Sequence, residues 1–437
     1  MMAQDPGEKP LVLVSADTHI GPRPKDLRDY CPAAYLSDYD DYLAAIRQAA
    51  KDSPFGWDAE DPQVQAVIRN GRTRGHFDMN ARLADMDADG VAAEVVFHGS
   101  QNGQPVPFAD TDFFGSLTRR DSGQVSARKR ELEAAGIRMY NRWLADVCSV
   151  EAERHIGLAH LPIWDVEGTL AEVAWAHEAG LRGLNFPAPR TGVVEYDRPE
   201  WEPLWSVCED MSMALTTHAG AGNSWAPVGP HSTAVVLLET AGGWMSRRGV
   251  HWMIFSGVFH RHPGLRMVLT EQPGSWWTAY LAELDMVYRS APARRVRQVI
   301  PELPSEACRR SLFVGASFIA PFEALDAEDG GYTDRLLWGS DYPHVEGTWQ
   351  AVPDTDTPTT HLALRHALAG RHPDTIRAIT GENAALVYGL DLEALRAVAA
   401  RINAPTVAEI TVPLDIGDVP EGLREYSMAF RDADAWV

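Results

Sequence analysis

Eight short apolar runs rich in β-branched residues recur along the chain, and the stretches between them space their apolar positions with a helical period. The runs are 11–19 (LVLVSADTH), 92–100 (AAEVVFHGS), 156–163 (IGLAHLPI), 181–187 (LRGLNFP), 214–219 (ALTTHA), 265–272 (LRMVLTEQ), 312–318 (LFVGASF) and 336–342 (LLWGSDY). Helices are expected over 81–90, stopped by Gly90, over 166–180 behind a capping Asp165, and over 278–289. Strands that alternate with helices imply a parallel sheet covered on both faces. Eight of them in this order predict an α/β fold of the (β/α)8 TIM-type barrel class. A doubly wound open sheet is the structural alternative, but no phosphate-binding glycine fingerprint follows the first run.

Such a barrel needs about 250 residues, and the chain has 437. The excess is expected in insertions at about 20–80 and 101–126, both following strand ends and so bordering the C-terminal, active-site face. A turn-rich loop, PDTDTP at 353–358, follows the eighth run. Residues 1–390 read as one barrel domain. Residues 391–437 read as a helix and tail packed on it.

Composition narrows the partners. A net charge of −22 argues against a nucleic-acid binder and against attachment to an anionic membrane, leaving a small molecule as the expected ligand. Four cysteines without paired spacing exclude a zinc ribbon and a disulfide scaffold. With no signal peptide and no membrane-length apolar stretch, a cytoplasmic location is expected.

The candidate chemistry lies where the runs end. Asp17 and His19 share one face of the first run, because side chains alternate with period two. His218 ends the fifth run, Glu271 the sixth and Asp341 the eighth. Each alone has an ordinary explanation: a turn cap, a hydrogen-bonded core imidazole, a salt-bridge partner. Together they differ, because buried carboxylates without a compensating cation are costly. Asp17, His19, His218, Glu271 and Asp341 are therefore candidate ligands of a divalent metal: zinc, manganese or iron. His98, His160 and Asn185 end the second to fourth runs and are candidates for substrate contact or loop bracing. His344 follows Asp341 by three residues and could hold a bound water or orient the aspartate. Trp276 follows the sixth run and could line a pocket or pack in the core.

The chain resembles the amidohydrolase superfamily, in its amidohydrolase-2 branch, where aminocarboxymuconate-semialdehyde decarboxylase and its relatives lie. The carriers are SADTH, ARLADMDADGVAAEVVF, YNRWLADVCSVEAERHIGLAHLPIWD, GLRGLNFP, the His218 strand, SGVFHRHPGLRMVLTE, GSDYPHVEGTW and ITGENAALVYGLD. The resemblance implies a metal held by a His-x-His pair on strand one, histidines on strands five and six, and an aspartate on strand eight. Carried over, these fall on Asp17 and His19, on His218, and on Asp341. The chain departs at Asp17, an acid in place of the first histidine, and at Glu271, where histidine is common. It departs again at Asn185, where two-metal relatives carry a bridging lysine or glutamate, so one ion is expected rather than two, unless Glu271 bridges a pair. Relatives often form homodimers, so a homodimer is expected here.

Three reactions suit this site. The leading expectation is hydrolysis through a metal-bound water, with Asp341 as base and His218 or Glu271 passing the proton on. The first alternative is non-oxidative decarboxylation of an aromatic or enoic acid, which the acidic strand-one ligand supports. The second is oxygen activation at non-haem iron, one ion or two, suggested by the three carboxylates Asp17, Glu271 and Asp341 with at least two histidines. A binding protein without catalysis is the remaining class.

Overall fold

A computed structural model describes residues 9–49, 60, 62–99, 106–108, 126–189, 194–219, 244–272, 275–351 and 357–431. Eight parallel strands pair in chain order: β1 (Leu13–Ile20), β2 (Val91–His98), β3 (His155–His160), β4 (Gly183–Asn185), β5 (Ala214–His218), β6 (Met267–Thr270), β7 (Leu312–Ser317) and β8 (Leu336–Trp338). The helices between them include α1 (Leu36–Ala49), α2 (Pro62–Gly71), α3 (Met79–Asp89), α4 (Ala127–Cys148) and α5 (Val166–Glu178). This is the (β/α)8 barrel class that the apolar runs predict. All of β1, β2 and β7 is buried, as expected of strands covered on both faces.

The seam between the eighth and first strands places the site. It closes beyond β8 itself, where Asp341 N–H donates to Asp17 O at 2.9 Å and His19 N–H to Tyr342 O at 2.6 Å. Ser15 and Ser340 join their hydroxyls at 2.9 Å, and Ser340 N–H donates to Ser15 Oγ at 2.8 Å. The eighth run reads as seven residues, yet β8 has three. The polar residues that follow leave β7 and lock onto β1 instead. Gly339 allows the approach: a Cβ there would lie 2.7 Å from Asp17 Cβ.

Local chemistry explains the helix boundaries. Asp78 caps α3 by accepting from Asn80 N–H and Ala81 N–H, so this helix starts two residues before the apolar pattern suggests. Gly90 ends it at φ 74°, a conformation natural to glycine. Asp165 stands at the start of α5 but its side chain makes no capping bond.

The segment after β1 carries α1 and α2. Tyr30 and Tyr35 tie it to α4 through Asp146 and Glu131. Asn70, on α2, accepts from Ala351 N–H at 3.1 Å and donates to Trp349 O at 3.3 Å, reaching the loop after β8. Of the expected insertion at 101–126, only 106–108 and 126 are described. The loop at 353–358 is described only at 357 and 358. Beyond Asp391, α6 (Leu392–Arg401) packs Val398 and Ala399 on Ala92, and Leu423 and Phe430 pack with Phe318 and Leu362. No helix among the described residues is long and apolar enough to cross a membrane.

Candidate metal centre

Strand ends from both sides of the seam converge. His19 Nε2 lies 3.3 Å from Asp17 Oδ1 and 3.2 Å from Asp341 Oδ1, and His218 Nε2 lies 3.5 Å from Asp17 Oδ1. Asp17 and Asp341 are fully buried and His19 nearly so. Both oxygens of Asp17, Oδ2 of Asp341 and the Nε2 atoms of His19 and His218 have no hydrogen-bond partner. Burial without a partner is costly for every one of these groups. A cation among them removes the cost, so the donors fit a divalent metal.

The far nitrogens support that fit. His19 Nδ1 faces His98 O at 3.2 Å, and His218 Nδ1 faces Ala219 O at 2.6 Å. A carbonyl only accepts, so each ring donates Nδ1–H there and keeps its Nε2 lone pair for the cluster. Glu271 stands behind His218, with Oε2 3.4 Å from its Nδ1. It also joins Asp341 and Glu346 in a second group whose ligand atoms lie within 4.8 Å of one another. The five predicted ligands are thus neighbours spread over three groups: Asp17 with His19 and His218, His19 with Asp341 and His344, and Glu271 with Asp341 and Glu346.

The electrostatics follow from crowded acids. Burial works to lower the His19 pKa, yet Asp17 and Asp341 hold it well above the usual histidine range. Burial likewise opposes a charge on His218, but Asp17 and Glu271 raise its pKa to about 9. Burial, with Asp341 and Asp17 adding to it against the opposing pull of His218, pushes Glu271 up to about 8. Burial also resists ionisation of Asp341, but His344 and His19 outweigh it and hold that carboxyl well below the usual range. In the absence of a cation, protons fill its place.

Two features escape a reading of strand ends. Glu271 and Asp341 both hold left-handed backbone, at φ 52° and 56°, where a non-glycine residue is uncommon and strained. Below them Arg82, fully buried on α3, donates to both oxygens of Glu94 at 2.5 and 2.7 Å, to His19 O at 2.8 Å and to Thr18 Oγ1 at 2.8 Å. It pins the end of β1 from underneath. The available signal is a basic residue in the apolar helical pattern 81–90.

Residues 55–390 match the amidohydrolase family. The chain belongs to that family. Over 139 residues this amidohydrolase is 29% identical to the 2-amino-3-carboxymuconate-6-semialdehyde decarboxylase of Dictyostelium discoideum, covering 31% of this chain and 37% of that protein. The chain thus matches little more than a third of that relative's length. Its fold is similar to 5-carboxyvanillate decarboxylase of Novosphingobium aromaticivorans, solved with manganese and 4-hydroxy-3-methoxy-5-nitrobenzoic acid. The TM-score is 0.60 at 17% identity, covering 89% of this chain and all of the other. It is also similar to 2,6-dihydroxybenzoate decarboxylase from Rhizobium, with a TM-score of 0.52 at 17% identity, covering 88% and 99% of the two chains.

The other strand ends of the amidohydrolase barrel form a separate set. His160 Nε2 lies 3.0 Å from Asn185 Nδ2, and Asn141 brackets the His160 backbone with bonds of 2.9 Å to its N–H and carbonyl. Tyr140 packs edge-on against His98 and His160, with ring centroids 4.9 and 5.1 Å apart. His98 meets the metal cluster through its carbonyl, on His19. His344 joins the acid side: its Nδ1 lies 2.8 Å from Asp341 Oδ1 and its ring stacks 4.2 Å from His19. Trp276 donates to Gln272 O at 2.9 Å and lies under the Arg247 guanidinium at 4.1 Å. It lines a small cavity with Trp277, Ser317 and Tyr332.

Proposed function

We propose that this chain is a metal-dependent carboxy-lyase that removes carbon dioxide, without oxidation, from an aromatic or enoic acid. The observation that carries the reading is Asp17, a buried carboxylate facing His19 and His218 where the family pattern has a neutral imidazole. An extra anion in the donor set lowers the positive charge felt by a bound water and weakens its activation. Hydrolysis depends on that activation; decarboxylation does not. The decarboxylases similar to this chain support the same choice.

Asp17, His19, His218 and Asp341 would hold one divalent ion, and that ion, when bound, would neutralise and orient the substrate carboxylate. His218 has one nitrogen toward Asp17 and the other on Ala219 O, so it suits a ligand better than a proton carrier. His344 is the better carrier. Its Nδ1 lies 2.8 Å from Asp341 Oδ1, which fixes the ring, and its Nε2 is buried without a partner. The proton passes from His344 to the carbon that bears the carboxylate. The bond to that carboxylate then breaks, its electron pair returns to the carbon framework, and carbon dioxide leaves. His344 regains a proton from solvent.

On the neutral side, His98, His160 and Asn185 would contact the body of the substrate. The described part of the segment after β1, tied to the loop after β8 through Asn70, would border a substrate larger than a simple benzoate.

The test is carbon dioxide release by manganese-loaded protein from 5-carboxyvanillate, 2,6-dihydroxybenzoate and 2-amino-3-carboxymuconate semialdehyde. In deuterated water the vacated carbon should carry deuterium. His344→Asn should lower kcat by ~10²–10⁴-fold with metal content unchanged. No release over the panel by fully loaded protein would remove this reading.

Hydrolysis stands second, favoured by one observation: His344 and His19 overcome burial to keep Asp341 ionised, as a base toward water must be. Turnover of esters, lactones or amides without carbon dioxide release would promote it. Oxygen activation at iron rests on the acids alone.

A further inference from the structure

We propose that the C-terminal residues 416–431 act as a strap that positions the turn carrying His344, with Ser427 a positioning residue for the proton that His344 delivers. The inference deepens the carboxy-lyase reading above and rests on its assignment of His344. Ser427 is 3% exposed, and its Oγ donates to Gly347 O at 2.7 Å. Met428 N–H donates to Glu346 O at 2.8 Å. Two successive carbonyls just beyond His344 are thus held by a segment 80 residues further along the chain.

The turn has little slack to absorb a shift. His344 N–H donates to Asp341 O at 2.8 Å, Gly347 N–H to His344 O at 3.2 Å and Thr348 N–H to Ser340 O at 2.9 Å, so the segment folds back on itself. A Cβ on Gly347 would collide with Ser340 O and stand 3.0 Å from Asp341 Cβ. Movement of Gly347 is therefore passed to His344 through the bond between them. Gly347 is buried, and a buried carbonyl without a donor is costly, so Ser427 keeps it in one place. The turn has further holds: Thr348 Oγ1 meets Thr360 Oγ1 at 2.8 Å, and Asn70 donates to Trp349 O at 3.3 Å. Asp341 is fixed separately at the seam, by its N–H on Asp17 O. Loss of the Ser427 bond should thus loosen His344 and leave the metal ligands in place.

The strap is itself anchored beside the mouth. Leu423 and Phe430 pack with Phe318, which directly follows β7, and with Leu362 of the helix Thr359–Leu368. At its far end Arg431 donates to Glu323 Oε2 at 3.1 Å, and its guanidinium lies 5.4 Å from the centre of the Phe318 ring. The side chains of this ion pair are 12% and 6% exposed, and the same Glu323 oxygen accepts from Ala320 N–H at 2.6 Å, at the start of the helix Pro321–Asp329. A charge-assisted bond between largely buried partners fixes the register of the segment, and so where Ser427 stands. The match to the amidohydrolase family ends at residue 390, so these holds on the turn come from outside the matched segment.

The test uses the full-length protein and two readouts. Hydrogen–deuterium exchange, followed by mass spectrometry on metal-free protein, should rise about fivefold in Ser427→Ala within 342–349 and stay at the parent's level elsewhere in the barrel. The manganese-loaded variant should release carbon dioxide with kcat lowered ~10–100-fold, while KM, metal content and thermal melt match the parent. Ser427→Thr, which keeps the hydroxyl, should recover both readouts. Arg431→Gln loosens the strap from its far end without touching the turn, and should raise exchange in the same peptide. Exchange unchanged in 342–349, or raised throughout with a lower melt, overturns the strap. A loss of metal that matches the loss of kcat overturns it too, because the effect would then fall on Asp341. Each of these results, with carbon dioxide still released by the parent, leaves the carboxy-lyase reading intact. A parent that releases none removes that reading, while faster exchange confined to the turn still upholds the strap's hold on it.

Discussion

At the barrel mouth, β1, β5, β6 and the turn after β8 present Asp17, Glu271, Asp341 and Glu346 among three histidines, whereas β2, β3 and β4 end in His98, His160 and Asn185 without a carboxylate. The first side leaves buried oxygens and nitrogens without partners. The second is tied together through His160 with Asn185 and through Asn141 with the His160 backbone, and of its groups the buried Tyr140 hydroxyl has no hydrogen-bond partner. The contrast teaches where binding energy is stored. The acidic side is incomplete until a cation arrives; the neutral side is already organised and offers donors to an anionic or aromatic substrate.

The largest effect expected on this division is metal removal. Chelation, or Asp17→Ala, should lower turnover by more than about a thousandfold, roughly 4 kcal/mol of barrier. Manganese should restore the chelated parent but not the variant. A steady-state rate that survives full chelation would show that the acids serve something other than a cation.

Next comes the support beneath the acidic side. Arg82→Met leaves the buried Glu94 carboxylate with His155 alone, whereas Arg82 and His155 together hold it down to about pKa 2 against its burial. Losing one partner of such a pair costs about 3–5 kcal/mol, to be read in urea melts. The double change Arg82→Met with Glu94→Gln should recover part of this loss. If it recovers none, the guanidinium's bonds to His19 O and Thr18 Oγ1 matter more than its partner.

A smaller effect is expected at the seam. Gly339→Ala places a methyl group 2.7 Å from Asp17 Cβ and 3.0 Å from the Ala316 carbonyl. Displacing a ligand in this way should weaken metal binding by ~10–100-fold, the range seen when a ligand's supporting contacts are lost. Titration of the metal-free protein measures it.

The neutral side should respond least. His160→Asn or Asn185→Ala should raise KM about tenfold, the loss of one substrate hydrogen bond at ~1.4 kcal/mol, with metal content unaltered. A fall in metal content would show that the two sides are one.

Much of this was legible in the chain. A strand overlaps each of the eight apolar runs, with β1, β2 and β3 reaching one residue beyond theirs, because burial on both faces leaves an uninterrupted hydrophobic signature. The acids and imidazoles that end those runs were visible as costly exceptions, and the structure brings Asp17, His19, His218 and Asp341 together. Other features were not legible. Nothing in the local composition marks Glu271 or Asp341 as left-handed, since that conformation is imposed by what each residue must reach. The fourth run, 181–187, yields only a three-residue strand, and the eighth run gives its last residues to β1.

By itself, then, the sequence determined the period, number and order of the elements, and which residue types stand at their ends. Those are local properties, written in alternation and in turn residues. Which atoms face one another was decided only when the barrel closed, joining Ser15 to Ser340 across 325 residues and setting Asp17 beside Asp341. Closure sums small twists and registers over eight strands, and no segment carries that sum alone.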